Sequence, residues 1–324
     1  MQEVKKAGKG KHILCLMFFV IGLVTTTLFG ACKGVSGTSD KPYTDSTQTY
    51  SLVYDLESPE LSLDLPGKLK EISGLDMGSS GDFVWAVQDE KGVIFKVSLK
   101  DGSILQEIPF WKDGDYEGIE KVGNELYVVK STGTIYQIKA IGTPEQTMEK
   151  YNTLLEKQND VEGLAYDAGQ NCLLLACKGS SQIEGDSVVL EKAIYKFSLD
   201  SMKLDPVPAY IIKFEDVYNF VETTPTLRQF EKISEYFQPG ETKFTFNPSG
   251  IAIHPLTGEI YILSATKRLL LIMTPSGEIL HIEKMKKKMV PQPEGICFSS
   301  DGSLLISSEG KDGTASLHKF LMKQ

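Results

Sequence analysis

The segment "QPEGICFSSDG" (residues 292–302) has four near-copies in the chain, and this repeat decides the fold. The copies read "EISGLDMGSSGD" from Glu71, "DYEGIEKVGNE" from Asp115, "DVEGLAYDAGQ" from Asp160 and "NPSGIAIHPLTG" from Asn247. Each contains Glu or Ser, then Gly, then Ile or Leu. The residues before the glycines lie at intervals of 44, 45, 87 and 45, and we call them the motif ring: Ser73, Glu117, Glu162, Ser249 and Glu294. A period in the forties is the spacing of a four-stranded propeller blade.

The segments between the repeats contain the strands that such blades need. After Ser73 come "FVWAVQD", "VIFKVSL" and "ILQEIPF", which are short β-branched or aromatic runs separated by turn residues. The last repeat ends one strand short, but "YSLVYDL" and "LSLDLP" precede the first repeat. Pairing this N-terminal segment into the last blade would remove an exposed sheet edge. We therefore predict an all-β, five-bladed propeller over residues 50–324, with residues 50–66 completing the blade that begins at Glu294.

The interval of 87 residues holds either a sixth blade without the motif or an insertion. Its segment "TPTLRQFEKISEYFQPG" (residues 224–240) predicts an amphipathic helix with Thr224 as N-cap and Pro225 as its first residue. The apolar face would contain Leu227, Phe230, Ile233 or Ser234, and Phe237. This pattern favours a helical insertion at about 214–243, between the third and fourth repeats, that packs over one rim of the propeller.

The first 31 residues have the pattern of a secretory signal, with a basic start followed by an apolar run from Ile13. The alternative is a transmembrane anchor over Ile13–Ala31. The sequence "LFGAC" resembles the lipobox of bacterial lipoproteins, in which the cysteine, here Cys32, becomes lipidated. We therefore predict a lipoprotein signal peptide (1–31), a flexible Gly/Ser/Thr-rich tether (32–49) and a membrane anchor at Cys32. The domain would lie outside the cytoplasm of a bacterial cell, at the outer membrane or the cell surface.

The composition argues against some partners. Formal net charge is −9, and it falls to −12 when residues 1–31, with four lysines and one glutamate, are removed. The one basic run, "KMKKKM" at 284–289, reads as a solvated connection between strands. Without a basic stripe the chain is a poor candidate for nucleic acid. Cys172, Cys177 and Cys297 lie in apolar runs, which predicts buried free thiols and not a disulfide framework.

Several segments in order resemble the SdiA-regulated family of bacterial propellers, which is distantly similar to NHL-repeat proteins. They are "LPGKLKEISGL", the "EGI" and "EGL" repeats, "PSGIAIHPLTGEIYILSATKRLLLIMTPSGEIL" and "QPEGICFSSDGSLLISSEG". The likeness runs from about Leu65 to Phe320. It implies a five-bladed propeller with a calcium site and implies no established reaction. The chain departs from the family pattern at "QNDVEGL", at "SATK" (264–267) and at "SEGK" near the end.

The motif ring suggests a cation site, because equivalent residues of the innermost strands converge on the central channel. Three carboxylates there would repel unless they were protonated or bridged by a cation, and calcium takes several oxygen ligands. We expect Ca²⁺ on Glu117, Glu162 and Glu294, with Ser73 and Ser249. Weaker candidates for outer positions are Asp115, Asp160, Asn247, Asp89 and Glu309. The alternative is that Glu and Ser cap turns, with Gly present because the backbone passes too tightly for a side chain.

Two functions from different classes remain open. One is a monomeric binding module that holds calcium and offers a propeller face to a protein or small molecule. The other is a calcium-dependent hydrolase of esters, lactones or phosphoesters, with a carboxylate or Lys130 as base. None of His254, His281 and His318 adjoins the motif ring in sequence. A deep pocket rimmed by carboxylates would favour the hydrolase, whereas a channel plugged by side chains would favour the binding module.

Overall fold

Five antiparallel sheets form the protein, as the computed structural model shows over residues 50–185, 188–311 and 313–323. These residues belong to one compact unit, Thr49–Gln324. The signal peptide, Cys32 and the tether predicted over residues 1–49 lie outside the described residues. Among the residues that the structure describes, no helix is both long and apolar enough to cross a membrane.

The first strand, β1 (Leu61–Asp64), is followed by four blades whose strands pair in chain order, except that the fifth strand of blade 3 pairs with the third. Blade 1 contains β2 (Ile72–Met77), β3 (Phe83–Gln88), β4 (Val93–Ser98) and β5 (Ile104–Pro109). Blade 2 contains β6 (Tyr116–Val122), β7 (Glu125–Lys130), β8 (Ile135–Lys139) and β9 (Thr147–Tyr151). Blade 3 contains β10 (Val161–Asp167), β11 (Cys172–Cys177), β12 (Glu191–Ser198), β13 (Lys203–Leu204) and β14 (Tyr210–Lys213). Blade 4 contains β15 (Pro248–Ile253), β16 (Ile260–Ser264), β17 (Leu269–Met273) and β18 (Ile279–Lys284).

Blade 5 closes the propeller as predicted. Its own strands are β19 (Pro293–Phe298), β20 (Leu304–Ser308) and β21 (Ser316–Phe320). Strand β1 supplies the fourth, pairing antiparallel with β21 from Leu61 opposite Lys319 to Asp64 opposite Ser316. Upstream, the hydroxyl of buried Tyr54 donates a hydrogen bond of 2.6 Å to the carbonyl oxygen of Gly302. The N-terminal segment thus covers the edge that blade 5 would otherwise expose.

The motif glycines are explained by close approach between neighbouring blades. A Cβ on Gly74 would lie 2.7 Å from the Gly118 Cα, and one on Gly118 would lie 2.6 Å from the Leu164 Cβ. The other three motif glycines are equally close to the next blade. A Cβ on Gly163 would lie 2.9 Å from the Ile251 Cγ2, one on Gly250 would lie 2.2 Å from the Glu294 carbonyl oxygen, and one on Gly295 would lie 2.6 Å from the Ser73 carbonyl oxygen. Each innermost strand therefore packs on the next through a position that admits no side chain. This agrees with the alternative interpretation of the glycines, in which the backbone passes too tightly for a side chain.

The insertion is helical, but the predicted helix is misplaced. Helix α1 spans Phe214–Thr223 and helix α2 only Phe230–Ser234. Thr224 caps the C-terminal end of α1 and does not begin a helix, since its φ of −125° and ψ of 62° are not helical. The residue before a proline is disfavoured in the α region, and Pro225 therefore separates the two helices.

The apolar face predicted for the insertion is nevertheless buried. Leu227, Ile233 and Phe237 are buried, and Phe230 packs against the same cluster. That cluster joins the insertion to blades 3 and 4, and α1 contacts β14 and β18. The insertion therefore packs between these two blades and does not cover the motif ring. Cys172, Cys177 and Cys297 are free and buried, as predicted.

Candidate functional site

A β-bulge lies at the motif ring in every blade. The pairing between the first two strands shifts register at each ring residue, between Ile72/Leu75, Tyr116/Gly118, Val161/Gly163, Pro248/Gly250 and Pro293/Ile296. A bulge bends the strand and re-aims a side chain. The repeat therefore encodes two features at once, a glycine that lets blades approach and a bulged residue at one end of the channel.

A cavity of about 340 Å³ lies at this end of the channel, and we call it the acidic cavity. Eight carboxyl-bearing residues line it: Glu71, Asp89, Asp115, Glu117, Asp160, Glu162, Glu294 and Glu309. Ser73, Ile72, Gln292 and Lys178 complete the lining. A smaller space of about 10 Å³ adjoins it, lined by the motif glycines and by Leu75, Ile119, Leu164, Ile251 and Ile296. The aliphatic residues of the repeat thus plug the channel next to the carboxylates.

The three ring glutamates hold protons more tightly than ordinary carboxyls do. Burial, followed by the charge of Glu162, raises the pKa of Glu117 to about 10. Burial and the same neighbour raise the pKa of Glu294 well above its usual range. Burial also raises the pKa of Glu162, to about 7, although Lys178 opposes that rise. When no cation is present, the ring therefore disfavours the ionised form of several of its carboxyls at once.

Lys178 lines the acidic cavity, and the sequence analysis missed it. Its Nζ lies 2.6 Å from Oε1 of Glu162 and 3.9 Å from Oδ2 of Asp160. Its backbone N–H donates to the Asp160 carbonyl, as those of Asp89 and Glu309 do to the carbonyls of Glu71 and Gln292. Lys178 therefore occupies the blade position of Asp89 and Glu309, and superposing the blades in sequence would have found it.

The weaker candidates Asp89 and Glu309 face the same cavity. Asp89 Oδ1 is buried without a hydrogen-bond partner among the described residues, and burial raises the pKa of this carboxyl to about 6. Burial and a hydrogen bond with Glu71 raise the pKa of Glu309 to about 8. The Gln292 amide donates to both Glu294 and Glu309. Asp115, also in the lining, accepts a hydrogen bond from the Ser131 hydroxyl.

The predicted set is brought together only in part. Ser73 lines the acidic cavity, and its hydroxyl is 3.4 Å from the Glu71 carbonyl. Ser249 and Asn247 instead line a neighbouring cavity. The Ser249 hydroxyl donates to the Pro293 carbonyl at 2.8 Å and accepts from the Ala265 N–H at 3.1 Å. Because those bonds hold it in blade contacts, Ser249 is not presented to the acidic cavity.

The donor chemistry fits a hard cation such as calcium, because the cavity offers carboxylate oxygens and no sulfur or imidazole ligand in its lining. An unpartnered buried carboxylate oxygen on Asp89 agrees with a site that can accept a charge. In the described part of the chain, however, no three His, Cys, Asp or Glu side chains are placed to hold a metal ion. Binding a cation therefore requires the ring carboxylates to move, and Glu162 to exchange its contact with Lys178.

Other candidate bases lie away from this cavity. His254, His281 and His318 are buried, and none of them lines it. His254 Nε2 is 2.9 Å from the Tyr54 hydroxyl, and His318 bonds to Ser62 and Ser316. Lys130 is likewise absent from the lining, where Lys178 is the lysine. The groups that can exchange a proton in the cavity are its carboxyls and Lys178.

Known proteins share this architecture. A sequence model of the SdiA-regulated family matches residues 53–182 and 212–311. Among solved structures, Myxococcus xanthus glutaminyl cyclase is 12% identical with a TM-score of 0.51, covering 82% of this chain and 96% of that one. A catalytically inactive virginiamycin B lyase from Staphylococcus aureus, solved with quinupristin, is 17% identical with a TM-score of 0.41. That match covers 76% of this chain and 66% of the lyase, just under two thirds of its length.

At 12% identity, the likeness to the glutaminyl cyclase shows the fold alone. The family match is different in kind, because it spans more than half of the chain and its second range includes the helical insertion. The five motif repeats lie within its two matched ranges. The chain belongs to the SdiA-regulated family.

Proposed function

We propose that this protein is a calcium-binding propeller that serves as a binding module, anchored to a bacterial membrane through a lipid on Cys32. The observation that supports the calcium site is the convergence of Glu117, Glu162 and Glu294 on one cavity. In the lining of that cavity a single lysine faces eight carboxyl groups. Either protons or a cation must offset that charge, and a cation does so at neutral pH without holding several carboxyls protonated.

Calcium suits this cavity better than magnesium does. The ring residues come from separate blades, and each is placed by a bulge, so an ideal octahedron of short bonds is hard to assemble. Calcium accepts six to eight oxygens in irregular geometry at about 2.3–2.6 Å, whereas magnesium demands a near-ideal octahedron at about 2.0–2.1 Å. Water and backbone carbonyls would complete the coordination.

Thermal melts test this proposal. We would melt the purified protein with calcium, with magnesium and with a chelator, alongside Glu117→Gln, Glu162→Gln and Glu294→Gln. Glu145→Gln, at an exposed site outside the cavity, is the charge-matched control. With calcium at about 100 times its Kd, we expect the melting temperature of the wild type and the control to rise by about 5 °C or more. The ring variants should lose this rise. A wild type indifferent to calcium, or ring variants that respond equally, would refute the site.

A binding module fits the plugged channel better than an enzyme does. The acidic cavity does not continue as a deep pocket into the channel, because the aliphatic residues of the repeat leave only about 10 Å³ of space there. One observation favours the hydrolase: the pKa of Glu162, raised to about 7, suits a general base at neutral pH. A screen of esters, lactones and phosphoesters decides the matter. Calcium-dependent turnover that Glu162→Gln abolishes and Glu145→Gln keeps would favour the hydrolase.

The lipid anchor is a separate part of the proposal, and it concerns residues outside the described range. The lipobox-like "LFGAC" and the tether after it support an anchor that holds the propeller off a membrane. Labelled palmitate should be incorporated into the wild type and not into Cys32→Ser. Labelling of Cys32→Ser at the wild-type level would overturn the assignment of this cysteine.

A further inference from the structure

A larger cavity of about 680 Å³ adjoins the acidic cavity, and we call it the side cavity. The two share Lys178, Gln292, Glu294 and Glu309. The rest of the side cavity's lining includes Asn247, Thr266, Arg268, Lys287 and Lys311. Its size falls within the range of about 300–1,000 Å³ that small-molecule sites occupy.

Basic side chains outnumber carboxyl groups in the lining of the side cavity, whereas the reverse is true of the acidic cavity. Arg268, Lys287 and Lys311 face it, together with the shared Lys178. Within the described ranges, none of the first three forms an ion pair with an acidic side chain. The Nε of Arg268 is buried and has no hydrogen-bond partner there. A buried donor without a partner is costly unless a ligand satisfies it.

The backbone that presents Arg268 is strained. Lys267 and Arg268 adopt φ values of 66° and 57° in succession, in the left-handed region that non-glycine residues avoid. The helical insertion supports this turn, because the Nζ of Lys267 lies 5.0 Å from the ring centroid of Tyr236. Lys284 Nζ, also over that ring, donates to the Lys267 carbonyl. Strain of this kind persists where surrounding structure enforces it, and it clusters at ligand sites.

We propose that the side cavity binds a hydroxylated, non-aromatic small molecule that carries an oxyanion, such as a sugar phosphate or a sugar acid. The oxyanion would meet the guanidinium of Arg268 and the ammonium of Lys287, since Arg matches carboxylate and phosphate oxygens with paired donors. The remaining lining offers the hydroxyl of Thr266 and the amide of Asn247 for ligand hydroxyls. No aromatic side chain belongs to the lining, so stacking of a nucleobase is not provided for.

Lys178 connects this site with the proposed calcium site. In the structure its ammonium is held by Glu162. If a cation takes over the ring carboxylates, Lys178 is released toward the side cavity, and the anion should bind more tightly. This coupling rests on the proposed calcium function, whereas the anion site itself does not.

Calorimetric titration of the purified protein at low ionic strength tests the inference, because salt screens such contacts. The probes are glucose 6-phosphate, gluconate, inorganic phosphate and neutral glucose, each with a chelator and again with calcium. We expect at least one of the two sugar anions to bind about tenfold or more tightly than glucose and than inorganic phosphate. The comparison of glucose 6-phosphate with gluconate shows which oxyanion is preferred. The chelator arm tests the anion site alone, whatever calcium does.

Three variants test which basic side chains bind the anion. Arg268→Gln and Lys287→Gln should each weaken the preferred anion by about tenfold or more. Lys288→Gln is the control, because Lys288 is exposed, follows Lys287 in the chain and does not line the cavity. Removing this charge should change affinity less than about twofold. Lys287 is itself exposed, so its variant tests the site even if Arg268→Gln unfolds the turn. The inference would be overturned if glucose bound as tightly as the sugar anions or if neither sugar anion bound. It would also be overturned if Lys288→Gln lost as much affinity as Lys287→Gln.

Discussion

The ammonium of Lys178 lies 2.6 Å from Oε1 of Glu162, within a cavity that eight carboxyl-bearing residues line. A lysine thus already forms an ion pair with one of the three ring carboxylates that would bind the proposed cation. The contact has two consequences. It stabilises the acidic cavity when no metal is bound, and it competes with any cation that needs Glu162.

We predict that Lys178→Gln binds calcium more tightly than the wild type does. A single and a double charge about 4 Å apart repel by about 2 kcal/mol even at the dielectric constant of water, so affinity should rise about tenfold or more. In chelator the same variant should melt at a lower temperature. Lys157→Gln, which changes an exposed lysine away from the cavity, is the control and should match the wild type in both measurements. Weaker calcium binding by Lys178→Gln would show that Lys178 does not compete with the cation.

Stability without metal should depend on pH in a direction set by the raised pKa values. The carboxyls of Asp89, Glu162 and Glu117 have pKa values of about 6, 7 and 10 in the folded chain, against ordinary values of 3.8, 4.5 and 4.5. The folded state therefore binds more protons than the unfolded state above about pH 4, and stability falls as pH rises through those values. In chelator we expect the melting temperature to fall from pH 5 to pH 8.

Saturating calcium should reduce or reverse that fall, because the cation then offsets the ionised carboxylates. Glu117→Gln should also flatten the profile in chelator, since it removes the carboxyl whose pKa is raised furthest of these three. A melting temperature that rises from pH 5 to pH 8 in chelator would contradict the charge state that we assign to the cavity.

The close approach of blades 4 and 5 predicts the effect of a single methyl group. A Cβ on Gly250 would lie 2.2 Å from the carbonyl oxygen of Glu294, so Gly250→Ala must push two innermost strands apart. We expect the free energy of unfolding to fall by about 3 kcal/mol, at the upper end of the usual overpacking cost. At Gly67 a Cβ would meet nothing within 4 Å, and Gly67→Ala should change stability by about 0.5 kcal/mol or less. Denaturant unfolding measures both, and equal effects would contradict the packing account.

Closure by the N-terminal segment makes Leu65 a test of the fifth blade. Leu65 is buried against blades 1 and 5, and its N–H donates to the Ala315 carbonyl at 2.8 Å. Leu65→Ala should lower the free energy of unfolding by about 2–5 kcal/mol, as core truncations do. Leu154→Ala, at a leucine that is 53% exposed, should cost far less. If urea midpoints show the two variants to be equal, the N-terminal segment does not hold the propeller closed.

The fold was predictable because its determinants recur along the chain. Each blade repeats a glycine at a close inter-blade contact and an aliphatic residue in the channel plug, so the pattern Glu/Ser-Gly-Ile/Leu appears at a regular spacing. The missing strand of blade 5 could be assigned to residues 50–66 from counting alone. The helical insertion was recognised by its apolar periodicity, but its helices were misplaced, since Pro225 prevents Thr224 from entering a helix.

The candidate site was predictable only in its inner ring. Lys178 gave no local signal, because a lysine at the end of a strand is ordinary until the blades are aligned with one another. The division into two cavities depends on three-dimensional contacts: the Ser249 hydroxyl is held by Pro293 and Ala265, which come from different parts of the chain. The strained backbone at Lys267 and Arg268 likewise has no signature in the repeat.

Calorimetric titration of calcium into the chelator-treated protein tests the central claim most directly. The account predicts one calcium per chain, with release of protons from the ring carboxyls on binding at neutral pH, because their pKa values are raised without metal. Glu117→Gln should lose this binding, and Glu145→Gln should keep it. No saturable heat in the wild type, or equal binding by Glu117→Gln, would contradict a cation in the motif ring.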